Sequence, residues 1–457
     1  MKKDELRFPK KPFFTKGGAK VPHRKNTAHC ETVTLTDIPQ VVIPMAQHIG
    51  AQCKPVVNKG DKVFVGTIVG DNDAFVCAPV HSSVSGEVTD IITMTLPNGV
   101  VCEAVVIDSD GLYDSDPSIK PPVVESREDF LKALRASGLV GLGGAGFPAH
   151  VKLNVPKDKE IDTLLINCAE CEPYITTDHR EVLENSWNVF SGIHAVKELL
   201  GVKRVIIGVE KNKPDAIKLL KEIANSKTGD PDNVVKVLPL KSSYPQGAEK
   251  VLIKACTGRV VPAGKLPADV GCVVMNVASV AFIAQFLKTG MPLVRKRLTI
   301  DGSAIKNPQN VFAPIGTPVN KLIELCGGYK EECGKLLMGG PMMGISLFED
   351  TAPVLKQNNA ILAFNMKEAS TAKGGSCIRC GKCVEACPMG LMPTKIAVAA
   401  KKNQVDVLKE YNTMTCMECG CCTVTCPAQR YIVQSIRLGK AILRQEAAKE
   451  KGAEVKK

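Results

Sequence analysis

Aromatic residues are scarce in this chain of 457 residues, which has one tryptophan and an aromatic content of 4%. With so few aromatic side chains to stack on bases, the formal charge of +12 does not indicate a nucleic-acid partner. The first residues, MKKDELRFPKKPFF, lack the apolar core of a signal peptide, which predicts reduced cysteines in the cytosol. The most apolar stretch, 270–287, is interrupted by Asn276, Ser279 and Gln285 and predicts a buried strand followed by a helix. We therefore expect any membrane contact to be peripheral.

Cysteine, in contrast, is abundant, and eight of the nineteen cysteines form a duplicated pattern near the C-terminus. The spacing C-x2-C-x2-C-x3-C, followed by proline, occurs at 377–388 and again at 416–427. In bacterial ferredoxins, the first three cysteines of such a run hold one [4Fe–4S] cluster and the fourth ligates the other cluster. The predicted ligand sets are Cys377, Cys380, Cys383 and Cys426 for one cluster, and Cys416, Cys419, Cys422 and Cys387 for the second.

Two zinc sites are the alternative for these cysteines, because C-x2-C is also a zinc spacing. Four-ligand zinc sites would leave the tripled spacing and both Cys-Pro steps unexplained, so we favour iron–sulfur clusters. Cys421 lies inside the second run but outside its register, and we predict that it is not a ligand. A chain with two such clusters transfers single electrons.

The rest of the chain changes pattern several times, which predicts a multidomain protein with β and α/β units. Residues 1–40 are basic and predict an arm with little regular structure. Short β-rich runs over 41–112 predict a β module that looks like a barrel-sandwich, and 113–125 reads as a proline-rich linker. Strands alternate with helices over 126–294, which predicts a mostly parallel sheet covered on both faces. The remaining predicted segments are a mixed module at 295–368, the cluster domain at 369–430 and a C-terminal helix at 431–457.

Two loops of the α/β segment are candidates for ligand binding. The loop 141–148, Gly-Leu-Gly-Gly-Ala-Gly-Phe-Pro, exposes backbone N–H groups, and its glycines let a phosphate or a flat ring approach closely. A helix rather than a strand is predicted before it, so a tight structural turn is the alternative. Asn167, Glu170 and Glu172 follow the first strand at the carboxyl end of the sheet, where open α/β sheets bind ligands. For the two glutamates, a helix-dipole interaction is the alternative.

These loops carry a family resemblance. The segments 143–148 and 167–173 resemble the flavin and NADH loops of the NADH-oxidising subunit of respiratory Complex I, and 244–250 and 276–277 fall where that subunit has two further motifs. Ala248 and the Ala-Ser pair at 278–279 depart from those motifs. The resemblance implies an FMN and NAD(H) site, with Glu172 towards the nicotinamide. The implied cofactor-binding residues are Gly141, Gly143, Gly144, Gly146, Phe147, Asn167, Glu170, Glu172, Gly247, Lys265 and Asn276.

Nearly the whole chain resembles the RnfC family, whose members are subunits of the Rnf ferredoxin:NAD⁺ oxidoreductase complex. The matching segments are 47–50, 78–86, 170–174, 244–247, 339–344 and both cysteine runs. The resemblance implies a β-grasp (SLBB-like) module at 295–368, and docking to membrane-embedded and iron–sulfur Rnf subunits on the cytoplasmic side of the membrane. We expect electrons to pass between NADH, FMN, the two clusters and those partners, which couple the transfer to ion translocation. A soluble donor to a reductase or hydrogenase, and a flavin-free ferredoxin-like adaptor, are the competing hypotheses.

Overall fold

The computed structural model describes residues 8–156 and 158–454. In these ranges the strands are β1 (Thr32–Thr34), β2 (Gln40–Pro44), β3 (Lys54–Pro55), β4 (Lys62–Val63), β5 (Ile68–Asp71), β6 (Val80–His81), β7 (Gly86–Thr95), β8 (Val101–Ser109), β9 (Thr163–Cys168), β10 (Arg204–Glu210), β11 (Val235–Leu240), β12 (Cys272–Asn276), β13 (Arg295–Asp301), β14 (Gln309–Pro314), β15 (Cys333–Met338), β16 (Ile345–Ser346) and β17 (Ala360–Asn365).

The α-helices of the same ranges are α1 (Arg127–Ala136), α2 (Ala149–Leu153), α3 (Thr177–Leu200), α4 (Pro214–Ala224), α5 (Glu249–Thr257), α6 (Val277–Thr289), α7 (Val319–Leu325), α8 (Met366–Ala369), α9 (Lys382–Glu385), α10 (Pro393–Lys401), α11 (Val405–Glu410), α12 (Cys421–Val424) and α13 (Ile432–Glu454). Short 3₁₀ helices occur at Pro267–Val270 and Thr413–Thr415. Within the described ranges, no helix has both the length and the apolar character needed to cross a lipid bilayer.

The α/β unit is built on a parallel four-stranded sheet in the order β11-β10-β9-β12. Its strands are almost entirely buried because helices cover both faces, as the alternation of strands and helices in the sequence predicts. Asn276 at the end of β12 is in register with Asn167 near the end of β9. The loop after β9 and the start of α6 therefore lie side by side at the carboxyl edge of the sheet.

Two helices that start at this edge, α3 and α6, pack against each other with little space between their backbones. A Cβ atom on Gly192 of α3 would lie 1.8 Å from Val280 O of α6. Left-handed glycines, Gly201 and Gly290, end the two helices. Since the N-termini of both helices contribute to the candidate site, this contact fixes the relative position of the side chains there.

The barrel-sandwich unit contains one sheet with the order β2-β8-β7-β4 and a smaller one with the order β3-β5-β6. Val41 and Ile43 of β2 are fully buried opposite Ile107 and Val105 of β8. The apolar core around these strands continues into the β-grasp unit at 295–368, where it includes Leu298 of β13. The barrel-sandwich and β-grasp units therefore share one core.

The fourth sheet has six strands in the order β1-β14-β13-β17-β15-β16. Its edge strand β1 comes from the N-terminal arm, and Thr32 is paired with Asn310 in parallel register. This three-residue strand is the exception in an arm for which the sequence predicts little regular structure. The three residues TVT favour an extended backbone, but they form a strand because β14 offers an open edge.

The cluster domain ends in α13, which packs along α10. The apolar side chains Ile432, Ile436 and Leu443 of α13 are buried in a core that also contains Ile396 and Leu408. The C-terminal helix is thus an integral part of this domain, whose two cysteine runs lie next to α9 and α12.

The close packing of α3 and α6 leads to a stability prediction. Gly192→Ala should lower the free energy of unfolding by about 1–3 kcal/mol or more, because the added methyl group has to displace the Val280 carbonyl. Ser191→Ala, at an exposed neighbouring position of the same helix, is the control and should change little. Thermal unfolding followed by circular dichroism measures both. Equal stability of the two variants would contradict this packing.

Candidate flavin and iron–sulfur sites

The glycine-rich loop, residues 141–147, is closed by its own backbone. Gly141 N–H donates to Phe147 O at 2.9 Å, and Gly146 N–H donates to Gly141 O at 3.2 Å. Gly144 has a φ of +108° and is exposed, and a Cβ there would meet Asn359 Nδ2 only at 4.0 Å. The loop therefore presents bare backbone to open space, with a conformation at Gly144 that favours glycine.

Asn167 connects the loop after β9 to the segment before α5. Its Nδ2 donates to Gly247 O at 2.8 Å, while its Oδ1 accepts from Ala169 N–H at 3.2 Å. Gly247 in turn donates its N–H to Cys171 Sγ at 3.3 Å. A Cβ at Gly247 would lie 3.4 Å from that sulfur and from Ala169 Cβ. Asn167 and Gly247 are thus brought together, as the resemblance implies.

Glu170 lies at the N-terminus of α3. Its Oε1 accepts from Asp178 N–H at 2.6 Å and from the Thr177 hydroxyl at 3.3 Å. This is the helix-dipole arrangement that the sequence left open as the alternative. A contact between Glu170 and a ligand stays a prediction.

Glu172 makes a contact between two units of the chain. Its carboxylate accepts N–H groups from Met342 at 3.1 Å and Met343 at 2.9 Å, both in the β-grasp unit. A Cβ at Gly340 would lie 2.3 Å from Glu172 Oε2, so the loop approaches the carboxylate this closely only because residue 340 has no side chain. Burial raises the pKa of Glu172 to about 7, although the two N–H groups oppose that shift. The orientation of Glu172 towards the nicotinamide stays a prediction.

Asn276 caps α6 by accepting from Ala278 N–H at 2.9 Å, and its Nδ2 donates to Asp178 Oδ2 at 2.8 Å. A Cβ at Gly143 would lie 3.1 Å from Asn276 Nδ2, so the glycine-rich loop rests on this amide. Lys296 Nζ donates to Leu142 O of the same loop at 3.2 Å. Asp178 and Lys296 were not predicted from the sequence, because no motif includes them.

Asp178 is half-buried and Lys296 is buried, and each lies near the glycine-rich loop through the contacts just described. Burial raises the pKa of Asp178 and lowers that of Lys296, and the charge of each residue opposes the shift of the other.

Two further predicted cofactor-binding residues, Phe147 and Lys265, take part in main-chain hydrogen bonds. Phe147 is half-buried and joins the glycine-rich loop through its carbonyl. Lys265 is exposed in the loop after α5, where its N–H donates to Pro262 O at 3.2 Å. Lys250 Nζ, at the start of α5, lies 3.5 Å from the same carbonyl, so that loop returns towards the carboxyl edge of the sheet. Among the described contacts, none joins Lys265 to the glycine-rich loop.

The residues at this edge fit a flat cofactor with a phosphate group. Backbone N–H groups are accessible at the exposed glycines Gly143 and Gly144. Gln357 Oε1 is buried without a hydrogen-bond partner in the described structure, and the Gln357 side chain lies against Gly146. Gln246 Nε2, next to Gly247, is also a buried donor without a partner there. A bound ligand would satisfy such groups.

Five cysteines line one cavity in the cluster domain. Four of them, Cys387, Cys416, Cys419 and Cys422, are predicted ligands from both runs, and we call them the inner thiol set; the fifth is Cys421. Leu391 N–H points at Cys387 Sγ and Glu418 N–H at Cys416 Sγ, each at 3.3 Å. Sulfurs that converge from two runs and accept backbone N–H groups suit a [4Fe–4S] cluster. The structure therefore places Cys387, from the first run, beside three cysteines of the second run, as the predicted ligand set requires.

The other predicted set, Cys377, Cys380, Cys383 and Cys426, is called the outer thiol set. Cys377 and Cys380 are exposed, whereas Cys383 and Cys426 are half-buried. A hydrogen bond from the backbone N–H of Arg379 lowers the pKa of Cys377, and a hydrogen bond with the Thr394 side chain acts in the same direction. The outer thiol set therefore lies at the protein surface, and the inner thiol set lies mostly below it.

A small apolar cluster joins the inner thiol set to the α/β unit. It consists of Ala19, Tyr244, Ala386, Cys419 and Cys421, and we call it the junction cluster. Cys421 is fully buried, and its Sγ lies 3.9 Å from Tyr244 O. Cys171 and Met342 pack against the same cluster.

The N-terminal arm passes through this junction. Ala19 N–H donates to Tyr244 O at 2.8 Å, and Gly18 N–H donates to Ala386 O at 2.9 Å. A Cβ at Gly17 would lie 2.7 Å from the carbonyl carbon of Cys387. The arm therefore connects the α/β unit to the cluster domain by main-chain hydrogen bonds.

Further along the arm, Lys25 holds the loop after β9. Its Nζ donates to three backbone carbonyl groups, Glu170 O and Glu172 O at 2.8 Å and Ile175 O at 2.5 Å. Burial lowers the pKa of Lys25 to about 8. Lys25 was not predicted from the sequence, since nothing near it in the chain indicates its distant partners.

Four known families match successive parts of the chain. They are described as the RnfC barrel sandwich hybrid domain at residues 13–112, the Nuo51 FMN-binding domain at 134–285, the SLBB domain at 297–346 and the 4Fe-4S dicluster domain at 376–429. These matches confirm the predicted fold class and the predicted cofactors, FMN and two [4Fe–4S] clusters, with NAD(H) as substrate. The predicted boundaries between the units stay predictions.

A solved structure of an NAD⁺-reducing [NiFe]-hydrogenase is similar at 16% identity, with a TM-score of 0.49 over 68% of this chain and 63% of that chain.

Three curated relatives, each named as one subunit of an oxidoreductase complex, are similar over almost their whole length. The relative from the Na⁺-translocating ferredoxin:NAD⁺ oxidoreductase complex of Acetobacterium woodii is 46% identical, over 93% of this chain and 96% of that protein. The relative from the proton-translocating complex of Clostridium ljungdahlii is 42% identical, over 94% and 93%. The relative from the ion-translocating oxidoreductase complex of Rhodobacter capsulatus is 35% identical, over 97% and 86%. The chain therefore belongs to the RnfC family, whose members are subunits of ion-translocating ferredoxin:NAD⁺ oxidoreductase complexes.

Proposed function

We propose that this chain exchanges electrons with NAD(H) at the carboxyl edge of the α/β sheet and passes them to partner subunits of an Rnf complex at the outer thiol set. The observation that carries this proposal is the junction cluster, in which Cys419 of the inner thiol set packs with Tyr244 of the α/β unit. The relatives are named as subunits of ferredoxin:NAD⁺ oxidoreductase complexes, which supports the same reaction for this chain.

The chemistry needs a converter between paired and single electrons, because nicotinamides exchange hydride. When bound, FMN supplies that conversion and the two clusters carry single electrons. The chain's own residues position these groups and keep water away from the path. Tyr244 and Cys421 are at most 2% exposed, so bulk water has little access to the junction between the two sites.

The burial of the cysteines supports an order of transfer. The inner thiol set lies against the junction cluster, while Cys377 and Cys380 of the outer thiol set are exposed. Arg379 and Lys382, next to the outer thiol set in sequence, are also exposed. We infer that the inner set exchanges electrons with the flavin site and that the outer set, with its basic surroundings, faces the partner subunit.

Ion translocation belongs to the partners in this proposal. The relatives are named as subunits of complexes that translocate sodium ions or protons, and we place this chain peripherally on the cytoplasmic side of the membrane. A soluble electron donor to a reductase or hydrogenase is the rival function. Retention of the chain on membrane vesicles that contain the other subunits, and its loss from vesicles without them, would distinguish the two.

The first prediction of this proposal concerns the glycine-rich loop. Gly144→Ala places a methyl group on the bare outer side of the loop and should lose FMN and NADH oxidation while the cluster absorbance is kept. Gly99→Ala is the matched control: Gly99 also has a positive φ, +83°, and open space around its Cβ position, but lies in the turn between β7 and β8. Anaerobic absorbance spectra and NADH-dependent ferricyanide reduction measure both variants.

Both substitutions place a methyl group on a residue with positive φ and therefore cause similar backbone strain. A loss of flavin in Gly144→Ala alone then results from the blocked ligand contact and not from strain. Unchanged flavin content in Gly144→Ala, or equal flavin loss in Gly99→Ala, would contradict this placement. Absence of flavin from the wild-type chain after reconstitution would instead favour the flavin-free adaptor.

The second prediction concerns the cysteine assignment. The anaerobic protein should hold roughly eight irons, and Cys380→Ser and Cys419→Ser should each lose about half of them. Cys421→Ser should keep all the iron, although Cys421 lines the same cavity as the inner thiol set. Iron and sulfide analysis of the three variants gives the result. Full iron after Cys419→Ser, or loss of iron after Cys421→Ser, would refute the assignment.

A further inference from the structure

A second group of metal-ligand side chains lies in the barrel-sandwich unit. His48 follows β2, Cys53 immediately precedes β3, and Cys77 lies between β5 and β6. The Sγ atoms of Cys53 and Cys77 are 3.5 Å apart. His48 Nε2 lies 3.8 Å from Cys53 Sγ and 3.6 Å from Cys77 Sγ. One nitrogen and two sulfurs from two loops, the β2–β3 loop and the β5–β6 loop, thus lie within 4.8 Å of one another.

These separations match the edges of a zinc coordination tetrahedron. With Zn–S bonds of about 2.3 Å and Zn–N bonds of about 2.0–2.1 Å, two sulfurs lie about 3.8 Å apart, and sulfur and nitrogen about 3.5 Å apart. The three observed distances differ from these edges by about 0.3 Å or less. We propose that His48, Cys53 and Cys77 bind a thiophilic divalent cation, Zn²⁺.

The hydrogen bonds of His48 prepare its Nε2 for a cation. His48 Nδ1 lies 3.2 Å from Ile49 O, and a proton on Nδ1 donated to that carbonyl leaves the Nε2 lone pair free to bind. In the structure this lone pair accepts Ala78 N–H at 3.1 Å, a bond that the cation has to replace. Ala78 O, at 3.1 Å from Nε2 and 3.4 Å from Cys53 Sγ, offers an oxygen for the fourth position.

The charge balance also suits a dication. Cys53 and Cys77 are 4% and 0% exposed, and burial raises the pKa of both thiols, so both are protonated without a metal. Binding Zn²⁺ releases two protons and leaves two thiolates with a dication, which makes the net charge of the centre zero. The buried ammonium group of Lys356, which donates to Pro79 O and Gly138 O, then faces a neutral centre.

The proposed centre lies directly behind the glycine-rich loop. Ile49 N–H donates to Gly146 O at 3.0 Å, and Ile49 is the residue whose carbonyl orients His48. A cation here would join the β2–β3 and β5–β6 loops of the barrel-sandwich unit at the point where that unit contacts the glycine-rich loop. Its role would be structural, and the centre does not depend on the proposed electron path.

The test uses the anaerobic, iron-loaded full-length protein, incubated with zinc sulfate and then desalted. Elemental analysis should find one zinc per chain in addition to roughly eight irons. Cys53→Ser and Cys77→Ser should reduce zinc to background with the iron unchanged. Cys102→Ser is the control, because Cys102 is a buried thiol at 5% exposure in the same unit and should leave zinc unchanged.

A second measurement needs no variant. After exchange of zinc for ¹¹³Cd, the wild-type protein should give one cadmium resonance in the range of mixed sulfur and nitrogen ligands. Equal zinc in wild type and Cys53→Ser at full iron, or a cadmium resonance without sulfur ligands, would overturn the proposal. A Cys53–Cys77 disulfide in the anaerobic protein, formed by loss of two electrons and two protons to an oxidant, would also overturn it; intact-mass analysis without reductant detects this.

Discussion

The ammonium group of Lys25 holds the loop on which both redox sites depend. Lys25 Nζ donates to the backbone carbonyl groups of Glu170, Glu172 and Ile175. These bonds fix the backbone of the loop, from which two glutamate side chains point in different directions. Glu170 turns to the N-terminus of α3, while Glu172 turns to the β-grasp unit. Lys25 is half-buried, and these three acceptors offset the cost of taking its ammonium group partly out of water. As a result, one short loop from the α/β sheet connects the arm, the flavin-type site and the β-grasp unit.

The same arm then joins the α/β unit to the cluster domain. Main-chain bonds from Gly18 and Ala19 reach Ala386 on one side and Tyr244 on the other, next to Cys419. Electron transfer depends steeply on the separation of the centres, so the packing that sets this separation is functionally important. The barrel-sandwich unit supports the opposite side of the flavin-type site through Ile49 and Gly146. The units of the chain thus enclose the candidate site from several sides.

Local patterns in the sequence were sufficient for some features and insufficient for others. The spacing of the cysteines predicted that Cys387 would join three cysteines of the second run, and the structure places these four side chains around one cavity. The outer thiol set stays a prediction. The alternation of strands and helices also predicted the parallel sheet. The strand β1 in the arm and the contact of Glu172 with Met342 could not be predicted. Both join segments far apart in sequence, 170 residues in the case of Glu172, without any periodic signal.

The order of the two thiol sets is the central claim, and NAD⁺-driven reoxidation tests it most directly. Cys380→Ser and Cys419→Ser are each reduced with dithionite, freed from excess reductant and mixed rapidly with NAD⁺, while the remaining cluster is followed by freeze-quench electron paramagnetic resonance. We predict that the cluster left in Cys380→Ser is reoxidised as fast as in the wild type, because the inner thiol set contacts the junction cluster. The cluster left in Cys419→Ser should be reoxidised much more slowly. Equal rates, or faster reoxidation in Cys419→Ser, would contradict this order of transfer.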